Sequence, residues 1–288
     1  MKLSALGFFP EDPEVSGTLP EPCYDQLKEK MATLVDEAIE KGVFIRIDME
    51  YFIHKDATLR LFKELLEEKP KRAEHLGMVF QAYLKDSLQD AREMVKWANT
   101  FKTQHGFRVS LRVVKGANIA KDAEHARQGL HASLTDPATT WHGHPRDAMD
   151  ATGADRWAPG ITPVAKDLET TQEQFIEIIK LFEQNTNCLD VAYGTMNPDT
   201  IAHIMQTWLS NGEDLEERQI QTLFGMYNSL SLALKTFVSH RRYVPYGLLG
   251  KIIGYMRRRF IELQRSQGGK QMMKVRHNDT EPGVHPLN

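Results

Sequence analysis

The sequence predicts an α/β fold, a (β/α)8 barrel of the TIM type, in a single domain that covers residues 1–288. Short apolar, β-branched runs alternate with longer amphipathic stretches, which is typical of repeated βα units around a parallel sheet. No Pro/Ser-rich linker divides the chain, so one domain is the economical interpretation. A doubly wound open sheet would also suit the alternation, but its phosphate fingerprint G-x-G-x-x-G occurs nowhere among the 19 glycines.

The strand candidates fall into a clear group and a weaker group. The clearest are residues 43–48, 78–83 and 109–114, which are rich in apolar and β-branched side chains. The weaker ones are shorter runs at residues 2–6, 189–193, 219–223 and 242–245. Because a closed barrel has eight strands, one strand is missing from this pattern.

Helices are predicted between the strands, where apolar residues recur at helical spacing. They cover residues 24–41, 59–68, 88–104, 171–184, 199–209 and 229–238. A further helix follows residues 245–247, with an apolar stripe of Leu249, Ile252, Met256 and Leu263. Residues 119–163 show little periodicity and are interpreted as a long irregular excursion, and the polar residues 266–288 as a flexible tail.

Composition and charge exclude several classes of function. Lys and Arg total 36 against 39 Asp and Glu, a net charge of -3, so no broad cationic surface indicates nucleic-acid binding. Cys23 and Cys188 lie far apart in the chain, which predicts neither a disulfide framework nor a CxxC site and fits a reducing compartment. His142 and His144 have no Asp or Cys partner at ligand spacing, so no metal site is predicted.

Polar side chains stand at the ends of three consecutive predicted strands. Asp48 and Glu50 close one strand, Gln81 lies near the end of the next, and Arg112 and Lys115 follow in the third. A single residue of this kind is usually a helix cap or part of a surface ion pair. Three strands with the same feature are harder to dismiss, because functional groups of a parallel barrel lie at the carboxyl ends of its strands.

A second group of polar residues lies on the last predicted helix. Tyr255, Arg258, Arg259 and Glu262 follow one another at i, i+3, i+4 and i+7, so they share one face. Adjacent guanidinium groups repel each other unless an anion lies between them, and a carboxylate ligand would supply that anion. The alternative is a solvated basic face in which Glu262 is the partner.

Several blocks of the sequence, taken in order, resemble the proline dehydrogenase family. They are residues 2–6, 47–50, 81–83, 112–117, 223–226, 243–247 and the face of residues 255–262. The resemblance implies a (β/α)8 barrel that holds FAD, oxidises L-proline to 1-pyrroline-5-carboxylate and passes the electrons to a membrane quinone. Family members, which include the first module of bifunctional proline utilisation enzymes, have a further strand upstream of residues 2–6. The chain is therefore expected to lack the family's first strand, with Met1 a late start or a fragment boundary.

The resemblance also implies a role for individual residues. Arg258 and Arg259 would clamp the proline carboxylate, and a shared substrate pocket would be lined by Lys2, Asp48, Tyr243 and Tyr255. The flavin would lie against Gln81, Arg112, Val114, Lys115, Gly116, Ala117, Thr195, Asn197, Gln221 and Glu262. A flavin suits the implied reaction, because hydride removal from carbon requires an acceptor that no side chain provides. A cation such as Arg112 near the flavin would stabilise negative charge on the reduced ring.

The implied partners are L-proline, a quinone and an aldehyde dehydrogenase for the next catabolic step. The implied location is the cytoplasm, with peripheral contact to the inner membrane. The chain departs from the family pattern at Asn118, Thr170 and Met196, where an aromatic residue, Asp and His are usual. Thr170, Met196, the altered sequence after Glu262 and the absent first strand leave an alternative open: a catalytically silent or truncated relative that acts as a binding or interaction protein.

Overall fold

The computed structural model describes residues 1–7, 21–116, 118, 122, 164–165, 168–244, 252–257 and 259–260. Contacts divide the chain into two compact units, Met1–Tyr193 and Gly194–Asn288. The prediction of a single domain stays a prediction. The predicted tail at residues 266–288, the histidines His142 and His144, and all of the excursion at residues 119–163 except Asp122 lie outside the described residues.

The first unit alternates strands with helices, as the sequence predicts. Its elements are α1 (Glu21–Glu40), β1 (Ile45–Ile47), α2 (Lys55–Glu68), β2 (Leu76–Gln81), α3 (Ser87–His105), β3 (Val109–Val114), α4 (Leu168–Glu183) and β4 (Leu189–Gly194). The order in the sheet is β1-β2-β3-β4, and the pairs β1–β2 and β2–β3 are parallel. Parallel strands in sequence order, joined by helices, confirm the repeated βα units.

The prediction of a strand at residues 2–6 is wrong. Leu3–Leu6 form a 3₁₀ turn that ends at Gly7, whose φ is 80°. Only Lys2 forms a bridge, parallel to Asp48. These residues form a turn rather than a strand because the Ser4 amide donates to the side chain of Glu50 and not to a neighbouring strand.

The register of the strands defines a polar face of the sheet. Arg46, Gly77 and Ser110 are aligned across β1, β2 and β3, and Arg46 Nη2 lies 3.3 Å from Ser110 Oγ. Arg46 reaches across because β2 carries no side chain at this point. A Cβ on Gly77 would lie 2.8 Å from the carbonyl oxygen of Ser110. Since side chains alternate along a strand, Asp48 and Arg112 extend from the same face one layer nearer the carboxyl ends.

The opposite face of the same strands packs against helices. Phe80 of β2 meets Phe182 of α4 edge to face, with ring centroids 5.6 Å apart. Phe62 of α2 and Met94 of α3 are completely buried. Burial of each such side chain contributes about 1.5–3 kcal/mol to the stability of the fold.

The second unit contains α5 (Pro198–Ser210), β5 (Gln219–Leu223), α6 (Asn228–Leu234) and β6 (Ser239–Tyr243). β5 and β6 pair in parallel from Gln219 opposite Ser239 to Leu223 opposite Tyr243. The helix predicted to reach residue 238 ends at Leu234, because residues 235–238 form a turn that leads into β6. The last strand therefore starts three residues earlier than predicted.

In the described part of the chain, no helix has both the length and the apolar character that a membrane span needs.

Candidate active site

The carboxyl ends of β1 and β3 bring an acid and a cation together. Arg112 Nη2 donates to Asp48 Oδ1 at 2.7 Å, across the intervening strand β2. The two side chains are only partly buried, with 18% and 25% of their surface exposed. A partly solvated pair of this kind contributes little to stability, which makes it a candidate for ligand binding.

Glu50 is the centre of the contacts around this pair. Its carboxylate accepts from the Ser4 amide at 2.8 Å and from the Ser4 hydroxyl at 2.6 Å. Lys2 Nζ lies 3.6 Å from Glu50 Oε1. The Glu50 carbonyl accepts from Asn118 Nδ2 at 2.9 Å. Sequence reasoning found Glu50 at a strand end but gave it no role, although its i+2 spacing from Asp48 was a usable signal.

Gln81 ends β2 with its side-chain amide held in one orientation. Nε2 donates to the carbonyls of Met49 at 2.9 Å and Glu50 at 3.4 Å. Since both partners are acceptors, the amide nitrogen must face them and Oε1 must face away. Oε1 is buried and has no hydrogen-bond partner among the described residues. Such an acceptor is costly unless a ligand or water satisfies it.

The segment after β3 combines a cation with a close backbone approach. Burial lowers the pKa of Lys115 below its usual value. At Gly116, φ is 133° and a Cβ would lie 1.9 Å from the ring of Tyr83, so a side chain cannot fit. Val114, the last residue of β3, pairs with Gln81. Ala117 lies outside the described residues.

Behind Gly116 lies a buried acid that the sequence did not single out. The hydroxyl of Tyr83 donates to Asp122 Oδ2, and the Phe52 amide donates to Oδ1 at 3.3 Å. Burial raises the pKa of Asp122 to about 6, although both hydrogen bonds act in the opposite direction. Burial, together with the charge of Asp122, raises the pKa of Tyr83 as well. No pattern in the sequence marks this contact.

In the second unit, three predicted pocket residues lie together. The rings of Tyr243 and Tyr255 have centroids 5.9 Å apart, and the Arg259 guanidinium lies 5.3 Å from the Tyr255 ring centroid. The Tyr255 hydroxyl donates to the carbonyl of Phe224 at 3.3 Å. Arg258 lies outside the described residues, and so does Glu262.

The other predicted flavin contacts of this unit have local partners. Asn197 is the N-cap of α5, where its Oδ1 accepts from the Thr200 amide at 2.9 Å. The Asn197 amide in turn donates to Thr195 Oγ1 at 3.2 Å. Gln221 donates to Gln219 on the same strand. These contacts explain the local conformation, and the flavin roles stay predictions.

The structure thus gathers predicted site residues within each unit. The first unit brings together Lys2, Asp48, Gln81 and Arg112, and the second brings together Tyr243, Tyr255 and Arg259. The prediction that Asp48 shares one pocket with the paired arginines stays a prediction.

Comparison with known sequences gives a consistent result. The sequence model of the proline dehydrogenase family matches residues 3–138 and 154–268. The protein "Proline dehydrogenase 1, mitochondrial" of Caenorhabditis elegans is 23% identical over 232 residues, which is 80% of this chain and 33% of that protein. The chain therefore spans about a third of the length of this relative.

Solved structures with a similar fold include proline utilization A (PutA) proteins. The one from Bdellovibrio bacteriovorus, inactivated by N-propargylglycine, matches with a TM-score of 0.72 and 23% identity over 93% of this chain and 24% of its own. The one from Corynebacterium freiburgense matches with a TM-score of 0.71 and 21% identity over 91% of this chain and 24% of its own. These likenesses confirm the (β/α)8 fold class. Since the family's sequence model covers most of the residues, the chain belongs to the proline dehydrogenase family.

Proposed function

We propose that the chain catalyses the flavin-dependent oxidation of L-proline to 1-pyrroline-5-carboxylate. C5 would lose a hydride to the flavin, the ring nitrogen would lose a proton to solvent, and a C5=N double bond would form. Membership of the family supports this reaction. The observation that carries it is the partly exposed Asp48–Arg112 pair beside Gln81, whose Oε1 has no hydrogen-bond partner among the described residues.

The residues at the strand ends fit a flavin. Buried Oε1 of Gln81 needs a donor, which a ring N–H of isoalloxazine can supply. The cations Arg112 and Lys115 suit the negative charge of a reduced flavin ring and of the FAD pyrophosphate. FAD, when bound, would supply the two-electron acceptor that the reaction needs. In the first unit, Gln81, Arg112, Val114, Lys115, Gly116 and Ala117 would hold it.

The chain's own side chains would bind and orient the substrate. Lys2 and Asp48 are joined by a backbone bridge, so their side chains project from neighbouring positions beside Arg112. Asp48 can accept a hydrogen bond from the proline nitrogen, while a cation can face the proline carboxylate. Orientation of this kind lowers a reaction barrier without acid or base chemistry, because it removes translational and rotational freedom beforehand.

The second half of the reaction would deliver electrons to a quinone, with the protein in peripheral contact with a membrane. Family membership is the support for this acceptor. Assays with a soluble quinone analogue and with an artificial dye test separately whether proline is oxidised and whether a quinone accepts the electrons. Oxidation that proceeds with the dye but not with the quinone would contradict the quinone part of the proposal alone.

The test of the main proposal uses colour and turnover together. After incubation with FAD and gel filtration, the protein should show the visible absorbance band of oxidised flavin, and proline should bleach it under anaerobic conditions. Hydroxyproline and other cyclic amino acids form the comparison panel. A colourless protein would favour the rival, a silent relative that binds without turnover, for which Thr170 and Met196 are the motivating departures.

Arg259 tests the carboxylate clamp. We expect Arg259→Ala to raise KM for proline by about tenfold or more, because an arginine fork binds a carboxylate through two charge-assisted hydrogen bonds. Arg259→Lys keeps the charge without the fork and should recover only part of the affinity. Steady-state kinetics measure both variants. An unchanged KM in Arg259→Ala would remove the clamp from the proposal.

A further inference from the structure

Glu50 is almost completely buried, yet it carries a carboxylate that faces the start of the chain. It is 5% exposed, and Ser4 donates to both of its carboxylate oxygens. A buried charge is tolerated only where hydrogen bonds and an opposite charge compensate for lost hydration. Here Ser4 provides the hydrogen bonds, and Lys2 provides the charge at 3.6 Å.

The side chain of Lys2 has Glu50 as its ion-pair partner among the described residues. Its side chain is 58% exposed, and a long flexible amine loses about 2 kcal/mol of rotamer entropy when it is fixed in one position. The turn Leu3–Leu6 that follows has no side-chain cap at its start. The contact with Glu50 therefore adds a polar side-chain anchor to the buried Leu3 and the backbone bridge to Asp48, which also hold this segment.

Glu50 also fixes the other side of the same region. Its carbonyl accepts from Gln81 at 3.4 Å and from Asn118 at 2.9 Å, so one residue connects the ends of β1, β2 and β3. Asp48, two residues earlier, carries the ion pair with Arg112. A change at the Glu50 carboxylate would alter the turn, whereas its carbonyl contacts would persist.

We propose that Glu50 is a positioning residue, which holds Lys2 beside Asp48 by anchoring the turn at Ser4. This inference rests on the proposed function, in which Lys2 contacts proline. It assigns a role to a residue that would not itself touch substrate or cofactor. The buried carboxylate acts through the turn, and the amine of Lys2 acts on the ligand.

The first measurement is hydrogen exchange at the Ser4 amide, which is independent of activity. Glu50→Ala removes both acceptors, so exchange at Ser4 should accelerate by about tenfold to a hundredfold, the loss expected for a charge-assisted hydrogen bond. Glu50→Gln keeps one neutral acceptor of the same shape and should show a smaller acceleration. If Glu50→Ala fails to fold, the Gln variant carries the test.

The second measurement is a double-mutant cycle on KM for proline. Glu50→Ala and Lys2→Met should each raise KM by about tenfold or more, and the double variant should be no worse than the poorer single variant, because both changes remove the same contact. A purely structural role for Glu50 would give effects that add. Additive effects, or unchanged exchange at Ser4, would overturn the proposal.

Glu64→Ala is the matched control. Glu64 accepts hydrogen bonds from Lys28 at 2.9 Å and Tyr24 at 3.1 Å, between α1 and α2. Its loss should leave Ser4 exchange and KM within about twofold of wild type, since its partners Lys28 and Tyr24 lie on α1, which carries none of the predicted site residues. If the wild-type protein does not oxidise proline, the proposed function fails, while the exchange at Ser4 still decides whether Glu50 holds the turn.

Discussion

The first unit contains two clusters of acids and cations that differ in their exposure to solvent. Lys55 of α2 contacts Asp86 and Asp90, each at 2.6 Å, and the three side chains are 9%, 5% and 2% exposed. At the strand ends, Arg112 and Asp48 are 18% and 25% exposed. The Lys55 cluster joins the helix layer, whereas the Asp48 pair lies on the polar face of the sheet.

The difference separates a structural cluster from a candidate binding cluster. Burial alone would lower the pKa of Lys55, but the charges of Asp86, Asp90 and Asp56 raise it well above its usual value. Lys55 is therefore protonated, and the cluster is a fixed connection between helices. The Asp48–Arg112 pair is partly exposed to solvent, so it is the better candidate for contact with a ligand. Exposure, rather than the number of charges, distinguishes the two clusters.

Removal of the buried cation should give the largest effect on stability. We expect Lys55→Met to lower the free energy of unfolding by about 3–5 kcal/mol, because it leaves buried carboxylates without a countercharge. Urea unfolding at pH 7 measures the loss. The matched control is Lys28→Met, whose side chain is 26% exposed beside Glu64 and Glu68, and which should cost about 1 kcal/mol or less. Equal losses in the two variants would contradict the distinction.

Asp122 is another buried acid of the first unit, and burial raises its pKa. The native pKa is about 6, whereas an unfolded chain has an Asp pKa near 4. Between these values the native state binds more protons, so the stabilising contribution is complete below about pH 4 and is lost as the pH rises through 6. The two-unit difference corresponds to about 3 kcal/mol.

Asp122→Asn should remove this part of the pH dependence. The free energy of unfolding of the wild type, measured in urea from pH 4 to pH 7, should fall with pH more steeply than that of the variant. Asn retains an oxygen that can accept from the Phe52 amide. Parallel curves for the two proteins would show that Asp122 titrates normally.

The smallest effect on stability is expected for a substitution in the partly exposed Asp48–Arg112 pair. Asp48→Asn should change the free energy of unfolding by about 1 kcal/mol or less, since the pair is partly solvated. It should lower kcat/KM for proline by about tenfold or more, because Asp48 is proposed to contact the substrate. Asp36→Asn is the control, since Asp36 pairs with Arg72 at 3.0 Å between helical segments. A similar loss of kcat/KM in both variants would indicate a general structural effect.

The prediction of elements succeeded where local pattern and tertiary packing agree. β3 and β5 have the bounds that the sequence predicted, and the helices begin and end close to their predicted limits, apart from α6. β1 is shorter than predicted because only Ile45–Ile47 pair with β2. Residues 2–6 are predicted as a weak strand, but a buried acid distant in sequence holds them in a turn.

The candidate site likewise contains residues whose positions the sequence predicts and residues whose roles depend on tertiary contacts. The strand-end positions of Asp48, Gln81 and Arg112 followed from the alternation of strands and helices, because carboxyl ends of parallel strands meet at one edge. The roles of Glu50, Asp122 and Lys55 did not, because each depends on contacts between residues about 30 to 70 positions apart along the chain. Burial of a charge is a property of the folded chain that composition does not reveal.

By itself, the sequence determined the class of fold and the edge of the sheet at which polar groups collect, because periodicity and strand direction are local properties of the chain. The tertiary structure alone decided which acid meets which cation and how much water each pair retains. The physical reason is that the energy of a charge depends on its surroundings, and those surroundings come from segments that are distant in sequence.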